Sequence, residues 1–180
     1  VHLFVVATSD KGLAGAFNTN IVRLARRQAE ALKAEGKTVK FYTIGKKGRD
    51  QLSRTFRGDI IQSIEPGDLG KLSFADVQTW GEDLTARFEA GEFDVAHLFF
   101  SKFVTVLTQE PTQIQLMPVA VTAGEGDTVG LSATVEYEPD EEEILAELLP
   151  RNVAIQLLRA NRENAASEQG SKMTAMDNAT

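Results

Sequence analysis

Residues 1–20 constrain the fold of this chain more than any other stretch. VHLFVVA is an apolar run rich in β-branched residues, and helix periodicity follows within a few positions of Gly12 and Gly15. Such a run, passing through a glycine-punctuated turn into a helix, reads as a buried parallel strand feeding a tight βα connection. It predicts the first strand of a doubly wound sheet. Gly12 and Gly15 admit positive φ or a closely packed backbone, while Ser9, Asp10 and Asn18 can bond turn amides or cap the helix. Free amides at a helix start also bind anions, so a nucleotide-binding reading arises here. Neither G-x-G-x-x-G nor G-x-x-x-x-G-K-[ST] is present, and Asp10 would set a carboxylate beside the phosphate. The turn is expected to be structural.

The next segments repeat the pattern. Residues 20–35 predict an amphipathic helix with Ile21, Leu24, Ala25, Ala29 and Leu32 on one face, stopped by Gly36. Residues 37–44 predict a second strand, with Val39, Phe41 and Thr43 on one face and Tyr42 and Ile44 on the other. Gly45-Lys-Lys-Gly48 resembles a phosphate loop only superficially, having no hydroxyl in the metal-binding slot, and is expected to open a short helix over 49–54. A third strand is expected over 58–64. Ser73 with Asp76 marks a capping box for a helix to about residue 90, with Phe74, Val77, Trp80 or Gly81, Leu84 and Phe88 as its buried stripe. A central fourth strand follows at 93–100.

The rhythm then breaks. Residues 103–107 and 112–121 look extended and are separated by Glu110-Pro111, too close for a helical crossover, so one is expected at an edge or in a hairpin. Residues 122–138 read as a polar excursion with a further short strand at 131–137. From Pro139 a long helix is expected, opened by the acids 140–143 and striped by Ile144, Leu145, Leu148, Leu149, Val153, Leu157 and Leu158. Pro150 is expected to kink it or to begin a second helix. The fold class is thus α/β: a Rossmann-like three-layer domain over 1–138 with a mostly parallel sheet of about five strands, then a long projecting C-terminal helix over 139–180. The first part is expected to fold without the second.

Composition narrows the chemistry. There is no cysteine, hence no disulfide, thiolate metal site or cysteine nucleophile. Residues 1–60 hold 12 Lys/Arg and 5 Asp/Glu, whereas the other 120 hold 7 and 21, so the chain has a basic and an acidic pole. Opposite poles suit contact with charged surfaces. Nucleic acid is not expected, for the basic half lacks a recognised motif. No apolar stretch reaches the roughly 20 residues that span a bilayer, so no direct membrane insertion is expected. His2 and His97 sit within apolar strands, no nucleophile has an evident base, and Asp10 with Lys102 is too little for a receiver-type acid cluster. No catalytic residue, cofactor or metal is expected.

Two segments carry a resemblance. SDKGLAGAFNTN at residues 9–20 is similar to the S-D-R-G-L-C-G-x-F-N-x-N signature of the gamma subunit family of rotary ATP synthases. AASEQGSKMTAMDNAT at 165–180 is similar to that family's A-S-E-Q-x-x-R-M-x-A-M-x-x-A-T signature. Lys11 and Lys172 stand where the family usually has arginine, and Ala14 where many members have cysteine. Lysine keeps the charge but not the bidentate fork. The resemblance implies a non-catalytic rotor subunit in the central stalk of a proton-translocating enzyme, with residues 139–180 forming part of one half of an antiparallel coiled coil. It implies a signature turn made by Ser9, Asp10, Lys11, Gly12, Gly15, Phe17 and Asn18. It also implies subunit contacts at Ser167, Glu168, Gln169, Lys172, Met173 and Met176, facing the paired helix or loops of a beta subunit. The implied partners are the alpha and beta subunits of the catalytic ring, the epsilon subunit and the membrane c-ring. The implied place is the cytoplasmic face of a bacterial inner membrane, or else the mitochondrial matrix face. The competing expectation is a nucleotide-binding domain or enzyme using the Gly12/Gly15 turn.

Overall fold

The computed structural model describes residues 1–12, 15–118 and 140–179, with side chains of the last helix described from Leu148 to Asn178. Five strands, β1 (His2–Ala7), β2 (Val39–Ile44), β3 (Ile60–Ile64), β4 (Val95–Thr105) and β5 (Thr108–Met117), form one sheet in the order β3-β2-β1-β4-β5. The first four are parallel and β5 is antiparallel to β4. Helices α1 (Phe17–Ala34) and α2 (Lys46–Phe56) cover one face; α3 (Phe74–Glu89) and α4 (Asp140–Ala179) cover the other.

Strand alternation fills both layers. Leu3, Val5, Ala7, Tyr42, Ile44, Leu98 and Phe100 meet α3 and α4, while Phe4, Val6, Val39, Phe41 and Phe99 meet α1 and α2. The mostly parallel three-layer architecture expected from residues 1–100 is therefore present. The capping box at Ser73 and Asp76 is also present, with both reciprocal bonds made. Backbone donation from Ser73 and its hydroxyl hold the Asp76 carboxyl below its ordinary pKa.

Several boundaries differ from expectation, each for a local reason. Helix α1 begins at Phe17, so Asn18 lies inside it, and its cap position, Ala16, makes no side-chain bond. Helix α2 begins at Lys46 rather than residue 49, because its first amides find acceptors in the turn after β1. Strand β4 runs on to Thr105, and the hairpin turns at Val106 and Leu107 instead of Glu110-Pro111. Pro111 fits within β5 because its partner Ser101 aims its amide at α4, not across the ladder. The strand expected at 93–100 is interior, since β4 lies between β1 and β5.

The long last helix is present as expected. Pro150 lies within one continuous helix, where burial of Val153, Ala154, Leu157 and Ala160 outweighs one missing backbone bond. The expected stripe packs on the domain: those four side chains belong to the same core cluster as Leu98 and Leu84. The helix lies along the domain as far as Ala175, while the large apolar side chains Met173 and Met176, on its other side, are exposed. At Gly81 the crossing with α3 is so close that a Cβ would fall 2.7 Å from the Pro150 carbonyl oxygen. That explains why Gly81, not Trp80, fills the buried position. The excursion at 122–138, the strand at 131–137, Pro139 and the side chains of 140–147 lie outside the described residues.

Candidate functional site

The signature turn lies at the carboxyl end of β1, and its polar groups are engaged within the fold. Ser9 N donates to Asn18 Oδ1 at 2.9 Å, Ser9 Oγ donates to the Lys11 carbonyl at 2.9 Å, and Asn18 Nδ2 donates to Ser9 Oγ at 3.1 Å. Asp10 bridges further. Its Oδ1 accepts from Lys46 N at 2.8 Å and its Oδ2 from Gly67 N at 2.7 Å, which ties this turn to those following β2 and β3. Phe17 is buried against the α1 and α2 layer, while Lys11 is exposed.

These bonds bear directly on the nucleotide reading. Lys47 N donates to the Ser9 carbonyl at 3.0 Å and Gly48 N to Thr8 Oγ1 at 2.9 Å, so with Lys46 three successive amides at the start of α2 are satisfied internally. An anion there would have to displace all three and face Asp10. Gly45, at φ 121° just after β2, runs so close to Thr8 that an added Cβ would collide with Thr8 Oγ1. The usual ligand crevice of an open α/β sheet lies outside the strand ends where the order reverses, here between β1 and β4. Helix α4 fills it. Asn164 Nδ2 donates to the Ala7 carbonyl at 2.9 Å and Asn164 Oδ1 accepts from Ser101 N at 2.7 Å.

The second segment divides along its helix. Ser167 is fully buried, its hydroxyl donating to the Ser101 carbonyl at 3.0 Å, and Glu168 is 8% exposed with Oε2 lacking a hydrogen-bond partner among the described residues. Gln169 is exposed and Lys172 half-buried, whereas Met173 and Met176 point to solvent. The two segments meet in space. Gly15 lies against Ser171 and Ala175, and a cleft of about 110 Å³ is lined by Asp10, Lys11, Asp68, Glu168, Gln169 and Lys172.

Glu163 and Asn164 were not singled out from sequence. The available signal was a polar stripe, Asn161, Asn164 and Ser171, continuing the apolar stripe of Val153, Leu157 and Ala160 at helical spacing. Away from this region His2 Nδ1 and His97 Nε2 are 3.1 Å apart in near-parallel rings, and His97 is also 3.3 Å from Gln113 Nε2. Burial is the main cause holding both imidazoles below their ordinary pKa. Among the described residues no three His, Asp or Glu side chains gather as a metal ion would need.

A family model described as ATP synthase matches residues 1–180, the whole chain, and so takes in both segments. The chain belongs to the ATP synthase gamma family. Gamma-chain relatives include that of Rhizorhabdus wittichii, 64% identical over all of this chain and 62% of the relative, and that of Methylobacterium sp., 52% identical over all of this chain and 61% of the relative. The chain therefore spans about three fifths of the length of the curated relatives it matches. In fold it is similar to a chain of the central stalk and c-ring structure of the Tetrahymena thermophila mitochondrial ATP synthase, with a TM-score of 0.78 and 26% identity over 99% of this chain and 75% of that one. A rotor chain of the Euglena gracilis enzyme shares the fold at a TM-score of 0.73 and 18% identity, over 98% of this chain and 66% of that one. In this gamma-family chain the two lysines that replace the usual arginines, Lys11 and Lys172, line the same cleft. None of the described helices is long and apolar enough to cross a membrane.

Proposed function

We propose that this chain is part of the central-stalk rotor of a proton-translocating ATP synthase, passing torque between a membrane c-ring and a catalytic ring of alpha and beta subunits. The observation that carries the reading is the convergence of the two signature segments. Residues 156 positions apart form one closely packed unit at Gly15 and Ser171, and α4 fills the crevice in which an enzyme of this architecture would hold its ligand. A rotor needs stiffness rather than a pocket, and a close-packed α/β body with a helix bonded across its strand ends supplies it. The chain itself is then non-catalytic and uses no cofactor.

Residues 1–138 serve in this reading as the foot and 139–180 as part of the shaft. Gln169, Lys172, Met173 and Met176 are the side chains of the second segment placed to meet a paired helix or loops of beta, while Ser167 and Glu168 act from within the packed unit. Epsilon is a further partner, and the assembly lies on the cytoplasmic face of a bacterial inner membrane, in keeping with the bacterial sources of its gamma-chain relatives. Co-expression of the full-length chain with alpha, beta and epsilon tests this. The expected result is an assembled complex with ATP hydrolysis that depends on the chain, and calorimetry with ATP or NAD showing no stoichiometric binding to the chain alone. Tight binding of either nucleotide by the isolated chain, or no assembly, refutes the proposal.

A further inference from the structure

Beyond Phe99, no strand among the described residues lies beside β4 on the β1 side, because the β1/β4 register ends at Val6 and Phe99. Backbone groups left at such an edge, inside the protein, must find partners elsewhere. Helix α4 provides them from its side chains. Ser101 N donates to Asn164 Oδ1 at 2.7 Å, the Ser101 carbonyl accepts from Ser167 Oγ at 3.0 Å, and Phe103 N donates to Glu163 Oε2 at 2.8 Å. Asn164 and Ser167 are wholly buried. Standing within about one helical turn, the three side chains leave α4 on one side and follow the strand as a neighbouring strand would.

We infer that Glu163, Asn164 and Ser167 act as a surrogate strand that fixes the rotational setting of α4 on the sheet, and that this joint is where twist passes between helix and domain. The second half of this statement rests on the rotor reading above. The apolar contacts of the same helix, at Val153, Ala154, Leu157 and Ala160, resist separation but are not directional. Hydrogen bonds are directional and weaken steeply below about 120°. A slip of one residue around the helix, about 100°, carries all three acceptors and donors off β4. A steric stop acts in the same sense: a Cβ on Gly170 would lie 3.0 Å from the Val106 carbonyl oxygen, so rotation would drive a larger neighbour into the hairpin backbone.

The test uses the full-length chain in its assembled complex, with Asn164→Leu, Ser167→Ala and Ser167→Thr, and Leu157→Ala as a variant weakened through apolar packing. Two quantities are read: amide exchange at Ser101 and Phe103, and protons pumped per ATP hydrolysed. Asn164→Leu is expected to speed Ser101 exchange about tenfold, the equivalent of one lost hydrogen bond, and to lower pumping per ATP. Ser167→Ala lowers pumping per ATP as well, and Ser167→Thr, which keeps the hydroxyl, restores it. Leu157→Ala loses thermal stability without losing pumping per ATP. Wild-type exchange at Ser101 or wild-type pumping in Asn164→Leu overturns the inference. If that variant does not assemble, wild-type pumping per ATP in Ser167→Ala overturns it alone. A wild-type complex that hydrolyses ATP without pumping counts against the rotor reading instead, and the exchange rates still decide whether the surrogate strand exists.

Discussion

Asn164 in the last helix and Ala7 at the end of the first strand are 157 positions apart, and the side-chain amide of one donates to the carbonyl of the other at 2.9 Å. The same side chain accepts from Ser101 on the neighbouring strand. One residue therefore joins β1, β4 and α4 at the point where the strand order reverses. Asn164→Ala removes both bonds and leaves the Ala7 carbonyl and the Ser101 amide buried without partners. The expected loss is about 3 kcal/mol of unfolding free energy, from unsatisfied groups at roughly 1–3 kcal/mol each. Urea denaturation of the chain measures it, and a loss below about 1 kcal/mol means that water replaces the bonds at little cost.

Gly81→Ala tests the α3/α4 crossing. Helix propensity alone favours alanine by about 1 kcal/mol. The added Cβ would fall 2.7 Å from the Pro150 oxygen and 3.1 Å from Ala154 N, both backbone atoms that cannot swing aside. Overpacking of this kind costs about 1–3 kcal/mol, so the net effect should be destabilising. A thermal midpoint at or above wild type would show the two helices free to separate.

Legibility in the sequence followed how local the determinant was. Strand β1, the Ser9–Asn18 bonds within the first turn and the Ser73/Asp76 cap are specified by near neighbours, and periodicity together with capping chemistry reads them directly. The start of α2 at Lys46 was not readable, since its amides are satisfied by Ser9, Asp10 and Thr8, some 40 residues earlier. The length of β4 was hidden for the same reason. Its extension through Ser101 and Phe103 depends on Asn164, Ser167 and Glu163, whose role is visible only once α4 is laid beside it. Of the two outcomes expected at Pro150, a kink or a second helix, the second does not occur: local rules give proline no credit for the packing on either side of it.

Truncation after residue 138 follows from the same packing. It removes Val153, Ala154, Leu157 and Ala160, all no more than 1% exposed, from the cluster that covers Leu98, Val77 and Leu84. The remaining chain should keep helical and strand signal in far-ultraviolet circular dichroism but lose a cooperative thermal transition. A sharp two-state transition for residues 1–138 would establish that the sheet holds its second face without α4.

The paired imidazoles give the chain a pH dependence with a definite sign. Burial first, and then repulsion from His2, hold His97 below its ordinary 6.5; for His2 burial leads, followed by Lys37 and the N-terminal ammonium, opposed by Asp94 and Glu35. A folded pKa lower than the unfolded one means that the unfolded chain binds the proton more readily. Their contribution is thus complete above about 6.5 and is lost as the pH falls through the folded values. Denaturation midpoints should drop between pH 7.5 and pH 5, and His97→Phe should flatten that slope. An unchanged slope in the variant would place the acid sensitivity in other groups.

Glu168 offers the last comparison, because it is costly where it stands. It is 8% exposed, one carboxylate oxygen has no hydrogen-bond partner among the described residues, and the cleft it lines holds two other acids, Asp10 and Asp68, beside two lysines, Lys11 and Lys172, with which it makes no close ion pair there. Replacing a buried unsatisfied group by an apolar one of similar shape is nearly neutral or stabilising, so Glu168→Met should raise the unfolding free energy by up to about 1 kcal/mol. A residue that weakens the isolated fold yet sits in the second signature segment fits a role in assembly, since functional sites commonly hold such unfavourable groups. The same variant in the full-length chain should therefore assemble less well or hydrolyse ATP more slowly while being the more stable protein. A fall in stability of the isolated chain would mean instead that the carboxylate has a partner within the fold, and that its place in the segment is structural.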